Sequence, residues 1–143
     1  MIQTFVNRFI ENKDLIRAIF RERHPEDYLE ILKNVVSIIS DSRDAPRPDP
    51  ERIHVIDDSD YQGTLVFIIG ETGYQPSAYW YVRVIYGSCS SCDILERIRY
   101  SDPSLNDKPT KTQVDDYMTL ALHIVQNLKR MEDTEWADSE SSW

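Results

Sequence analysis

Thr64-Leu-Val-Phe-Ile-Ile-Gly-Glu-Thr-Gly-Tyr-Gln-Pro-Ser-Ala-Tyr-Trp-Tyr-Val-Arg-Val-Ile85 decides the fold of this chain. Its first six residues form a continuous apolar run, and Ala78 to Tyr86 is β-branched and aromatic throughout, the composition that suits a pleated, half-buried strand. Between them Gly70-Glu-Thr-Gly-Tyr-Gln-Pro76 is short and rich in turn formers, which predicts a hairpin. In the second run Trp80, Val82, Val84 and Tyr86 fall on one face, and Tyr79, Tyr81, Arg83 and Ile85 on the other. Both faces are largely apolar, so helices are expected over one side, with the second side at least partly covered. Upstream, Ile53-His-Val-Ile56 alternates weakly and supplies a third strand.

Helical patterns flank this meander. Phe5, Phe9, Ile16, Ile19 and Phe20 recur near the 3.6 period over residues 2–23, with a break expected at Asn12. His24-Pro25-Glu26-Asp27 reads as the start of a second helix, with His24 at its N-cap and proline in the first helical position. Tyr28, Leu29, Leu32, Val35, Val36 and Ile39 give that helix a broad apolar face, and the proline-rich residues 41–50 read as an extended linker. Asp93 to Tyr100 suits a short helix. Thr110-Lys-Thr-Gln113 matches a capping box opening a long helix whose core face carries Val114, Tyr117, Leu120, Ala121, Ile124, Val125 and Leu128. The expected fold is therefore α+β: a three-stranded antiparallel meander flanked by two N-terminal and two C-terminal helices. Residues 1–131 form one domain in this reading, and 132–143 an acidic disordered tail.

Composition narrows the function classes. The chain has 143 residues, 41% hydrophobic and 29% charged, enough to bury a core without disulfides or metal. No apolar run approaches the roughly 18 residues that span a bilayer, and Arg8 interrupts the N-terminal apolar run where a signal peptide would be uninterrupted. A cytoplasmic location without membrane association is expected. The net charge is −9, of which Glu132, Asp133, Glu135, Asp138 and Glu140 contribute −5. Direct binding to a nucleic-acid backbone is not expected, because that requires a basic stripe.

Cys89 and Cys92 are the only cysteines and stand as Cys-Ser-Ser-Cys between a strand pattern and a helix pattern. At a helix start the free backbone N–H groups and the dipole would stabilise a thiolate, with Cys89 attacking and Cys92 resolving if the pair is a redox site. The pattern after Cys92 lacks the further strands a thioredoxin fold needs, and a zinc site would need two more ligands from distant histidines or carboxylates. Redox, metal and plain packing readings of the pair stay open. Asp57-Asp-Ser-Asp60 precedes Gln62 and Gly63 and imitates an EF loop, but Ile69 occupies the position that requires a bidentate Glu. It is read as turn chemistry, with Asp57, Asp58 and Asp60 as a weak cation alternative. His123 falls near the apolar face of the last helix and reads as a core histidine, and His54 lies on a strand. The aromatic load of the sheet reads as packing, or as a stacking or anchoring platform if several rings share an open face.

Asp60-Tyr-Gln-Gly-Thr-Leu-Val-Phe67, followed by Tyr86-Gly-Ser-Cys-Ser-Ser-Cys-Asp-Ile-Leu95, resembles a group of small uncharacterised proteins of phages and some bacteria that carry a Tyr-Gly-Ser-Cys-Ser-x-Cys-Asp-x-Leu motif. The resemblance covers roughly residues 53–100 and implies an accessory role in host interaction or counter-defence. The leading expectation is a non-catalytic binding module without a cofactor, engaging a host protein or a small nucleotide-like ligand through Tyr61, Gln62, Tyr86, Ser88, Cys89, Cys92 and Asp93. A thiol-redox or metal-dependent enzyme using Cys89 and Cys92, and a homo-oligomer assembled through the aromatic sheet, are the alternatives.

Overall fold

An antiparallel sheet with strands in sequential order forms one layer of the protein, in a computed structural model that describes residues 2–40, 47–58, 64–73, 78–85, 94–101 and 108–131. The strands are β1 (Pro48–Asp58), β2 (Thr64–Glu71), β3 (Tyr79–Ile85) and the two-residue β4 (Lys129–Arg130). Five helices complete the described residues: α1 (Ile2–Glu11), α2 (Lys13–Glu22), α3 (Tyr28–Ile39), α4 (Ile94–Arg99) and α5 (Lys111–Gln126). The fold is α+β, as the sequence pattern implies, with a meander of three strands extended by a short fourth.

The hairpin is confirmed in register, Phe67 opposite Val82 and Gly70 opposite Tyr79. Glu71 holds both ends of its loop: its N–H donates to the Ala78 carbonyl at 3.0 Å, and its carboxylate accepts from the Ala78 N–H at 3.1 Å. Gly73 sits at φ 134°, a conformation that a β-carbon would strain. The linker expected over 41–50 ends sooner than its prolines suggest, because Pro48, Asp49 and Pro50 already belong to β1. Proline is tolerated there because β1 is an edge strand, with no neighbour on one side to receive its missing N–H.

Capping explains where the helices begin. The break at Asn12 is real: its side chain donates to the Arg8 carbonyl at 2.9 Å, an acceptor it shares with its own backbone N–H at 3.0 Å, closing α1 before α2 starts at Lys13. The second helical pattern starts later than Pro25. Asp27 is the N-cap of α3, its carboxylate accepting from the Glu30 N–H at 2.8 Å, while the Glu30 carboxylate accepts from the Glu26 N–H at 2.6 Å and pairs with Arg23. An aspartate offers this N–H a stronger, charged acceptor than an imidazole, so His24 is released from the N-cap role expected for it. In α5 the capping box is complete, with Thr110 N–H donating to Gln113 Oε1 at 2.8 Å and Gln113 N–H to Thr110 Oγ1 at 3.2 Å. Gln113 is itself buried, and its Nε2 donates to the carbonyls of Ile98 (2.9 Å) and Arg99 (3.3 Å) at the end of α4. One side chain thus closes two helix termini.

All five helices share one core with one face of the sheet. Phe5 and Phe9 of α1, Ile16 and Phe20 of α2, the Ile31–Ile39 face of α3, Leu95 and Ile98 of α4 and the Val114–Val125 face of α5 meet Phe67, Ile69, Trp80, Val82 and Val84. α5 ends at Gln126, short of the expected Leu128. Leu128 is buried after the helix, and the chain turns to place β4 beside β3, Lys129 opposite Tyr81 and Arg130 opposite Trp80.

Candidate functional site

Strand alternation forces every second residue of β1, β2 and β3 away from the helices. The register aligns those residues into rows across the sheet. His54, Ile68, Tyr81 and Lys129 form one row, and Ile56, Val66 and Arg83 the next. A third row holds Gly70 opposite Tyr79, with the Arg52 side chain lying 3.5 Å from where a β-carbon on Gly70 would stand. No described element packs on this face. Ile56 is 43% and Tyr79 39% exposed, while Val66, Ile68 and Tyr81 are half-buried among their neighbours. The cover expected over the second side of the sheet is therefore not provided by any described helix, because the helices are gathered on the side of Phe67 and Trp80.

The charge on this face opposes that of the chain. Its rows carry Arg52, His54, Arg83 and Lys129 against one carboxylate position, Asp58 opposite Thr64 at the far end, in a protein of net charge −9. Arg52 is held by the Asp49 carboxylate at 3.4 Å and donates to the Glu71 carbonyl at 3.1 Å. Arg83 and Lys129 are exposed and have no ion-pair partner among the described residues. The result is an aliphatic and tyrosine centre bordered by cations, of which Arg83 and Lys129 have no ion-pair partner among the described residues.

Of the residues singled out in the sequence, Asp57 and Asp58 are the last two of β1, opposite Leu65 and Thr64, so part of the acidic cluster is ladder rather than turn. Asp60, Tyr61, Gln62, Tyr86, Ser88, Cys89, Cys92 and Asp93 lie outside the described residues. The described helix after the cysteines, α4, has six residues, and its Leu95 N–H already donates to the buried Tyr28 hydroxyl at 3.1 Å. That occupancy leaves one fewer N–H there for a thiolate or an anion. Among the described residues no group of three or more His, Cys, Asp or Glu is placed to hold a metal.

Histidine roles also differ from those expected. His123 is exposed and lines a groove of about 370 Å³ between α4 and α5, with Ile94, Arg97, Asp116 and Thr119, so it is not a core histidine. The histidine that meets the core is His24: its Nδ1 lies 2.7 Å from the Tyr117 hydroxyl, and its ring stands edge-on to the tyrosine. Burial pushes the Tyr117 phenol up to about 12, partly offset by the nearby Arg99 guanidinium. A phenol held neutral in this way links α5 to the turn before α3 without offering a base.

Sequence reasoning placed the candidate site at Tyr61, Gln62 and residues 86–93 and did not single out Ile56, Val66, Ile68 or Lys129. Lys129 reaches the face through β4, which two residues could not signal. The signal for the others was available in the alternation of β1 and β2, but it was masked by the near-continuous apolar run 64–69. Compared with protein-family models, curated proteins and solved structures, the chain matches none.

Proposed function

We propose that this protein is a non-catalytic binding module whose open sheet face holds an acidic, aromatic-bearing surface of a protein partner. The observation that carries the reading is the conjunction of exposed Ile56 and Tyr79 with Arg83 and Lys129, which have no ion-pair partner among the described residues, on a face where Asp58 is the single carboxylate position. Tyrosine and aliphatic side chains on a sheet are rigid anchors whose desolvation supplies affinity, and bordering cations select the sign and orientation of what approaches. β3 ends at Ile85, so the Tyr86–Asp93 stretch begins at the Arg83 end of this face. A host protein is the partner class that fits the accessory role expected from the cysteine motif.

The test compares immobilised wild-type protein with Ile68→Glu, Arg83→Glu and an α2 control, Arg21→Glu, against a host extract, followed by titration with the purified retained protein. A dissociation constant raised at least tenfold by both face variants, with unchanged circular dichroism and an unaffected control, supports the reading. Equal binding by all three variants removes it. The same exposed Ile56 and Tyr79 favour one second reading, self-association through this face. Sedimentation of wild type against Tyr79→Glu decides it, since a dimer built on the face dissociates in the variant.

A further inference from the structure

The open face meets an oppositely charged segment of the same chain at one of its borders. Met131 follows β4, and its N–H donates to the Tyr79 carbonyl at 2.8 Å, which fixes the start of residues 132–143 at the edge of the face. Those twelve residues carry five carboxylates, two tryptophans and no Lys, Arg or His. We infer that the first occupant of the open sheet face is this C-terminal segment, which lies across it in cis and is displaced by the partner; the inference rests on the docking reading given above.

Geometry permits this within the available length. β4 runs antiparallel to β3 and points toward the β2–β3 hairpin, so occupancy of the face requires a reversal after Met131. Four residues, 132–135, are enough for a turn that would return Trp136 to the neighbourhood of Tyr79 and Tyr81. The seven residues after Trp136 then extend over roughly 23 Å at about 3.3 Å per residue. Three lanes at about 4.8 Å separate β4 from β1, so this length crosses the whole face to Ile56. Trp136 and Trp143 are isolated from any other apolar partner in their own segment, and Val66, Ile68 and Tyr81 offer one. The carboxylates flanking Trp136 meet Arg83 and Lys129, which have no other described ion-pair partner. Tethering removes most of the association entropy and holds the segment at an effective concentration near the millimolar range. Weak contacts then suffice for occupancy, while an untethered partner of higher intrinsic affinity still displaces them.

The inference is tested in the full-length chain with the photoreactive p-benzoylphenylalanine replacing Trp136. Irradiation at micromolar concentration should give monomeric adducts concentrated on Ile56, Val66, Ile68 and Tyr81. Their yield should fall at least fivefold in Arg83→Glu/Lys129→Glu and in 0.5 M salt, where exposed charges are screened. Adducts spread over the helices, adducts found only between chains, or a yield indifferent to charge reversal each overturn it. A second measurement avoids the photolabel: neutralising the five carboxylates to amides should tighten partner binding about tenfold, and unchanged affinity counts against the tail. The failures remain separate. If Ile68→Glu still blocks the partner while the tail gives no face adducts, only the tail occupancy is lost; if Ile68→Glu leaves the partner bound, the face itself is lost.

Discussion

Phe67 and Ile68 are neighbours in β2 with opposite fates: Phe67 is 1% exposed beneath the helices, and Ile68 is half-buried on a face that no described element covers. On the helix side Phe67, Ile69, Trp80, Val82 and Val84 are buried in one core with the helices, and their burial contributes to folding. On the open side comparable residues sit beside cations and keep part of their apolar surface exposed, up to 43% at Ile56. The difference shows that hydrophobicity in a strand reports burial, without saying whether the burial belongs to the fold or to a complex.

The largest expected effect tests the first half of that contrast. Phe67→Ala should destabilise the protein by about 3–5 kcal/mol, through lost transfer free energy and the cavity left behind, as measured by urea unfolding. Trp80 lies on the same face, wholly buried, with its indole N–H lacking an acceptor among the described residues. Trp80→Phe removes that unpaired donor and should therefore cost clearly less than Phe67→Ala, although it deletes part of a larger ring. A Trp80→Phe loss as large would mean the indole N–H is bonded.

The helix layer that covers Phe67 depends on polar contacts inside it. Gln113→Ala should cost about 2 kcal/mol, since it leaves the buried carbonyls at the end of α4 and the Thr110 N–H without their partner. Tyr117 supplies a pH-dependent version of the same test. Its phenol is raised to about 12 in the folded protein from 10, so the unfolded chain releases this proton first as pH rises. The contribution is complete below pH 10 and is lost as pH climbs toward 12, amounting to about 2 kcal/mol. Tyr117→Phe should flatten this alkaline limb in a series of denaturation curves; an unchanged slope would falsify the assignment to Tyr117.

The smallest effect on stability sharpens the second half. Ile68→Thr, a β-branched replacement suited to a strand, should change unfolding free energy by less than about 1 kcal/mol. A loss approaching that of Phe67→Ala would show that a further part of the molecule covers the face.

Much of this architecture was legible before any coordinates. The hairpin followed from its turn formers, the long C-terminal helix from Thr110 and Gln113, and the Asn12 break from a polar residue inside an apolar period. Those features are local, set by backbone preferences within a few residues of chain. The N-cap of α3 was misplaced because His24-Pro25 imitates a start signal, and only the bond from the Glu30 N–H to the Asp27 carboxylate shows which residue wins. His123 is exposed where a core place was expected, and His24 meets Tyr117 in place of capping a helix, for a similar reason: helical phase gives a residue's angle around its helix, while burial depends on what another element places against it.

Composition, charge asymmetry and strand periodicity are properties of the chain, so the sequence by itself determined an α+β domain with an acidic C-terminal end. Which side of the sheet receives the helices is not written in β2 or β3, where both sides are apolar. It was decided when five helices converged on Phe67, Ile69 and Trp80, and when the turn after α5 brought Lys129 beside Tyr81. Both are contacts between residues far apart in sequence, and their free energy exists only once the whole chain has closed around one core.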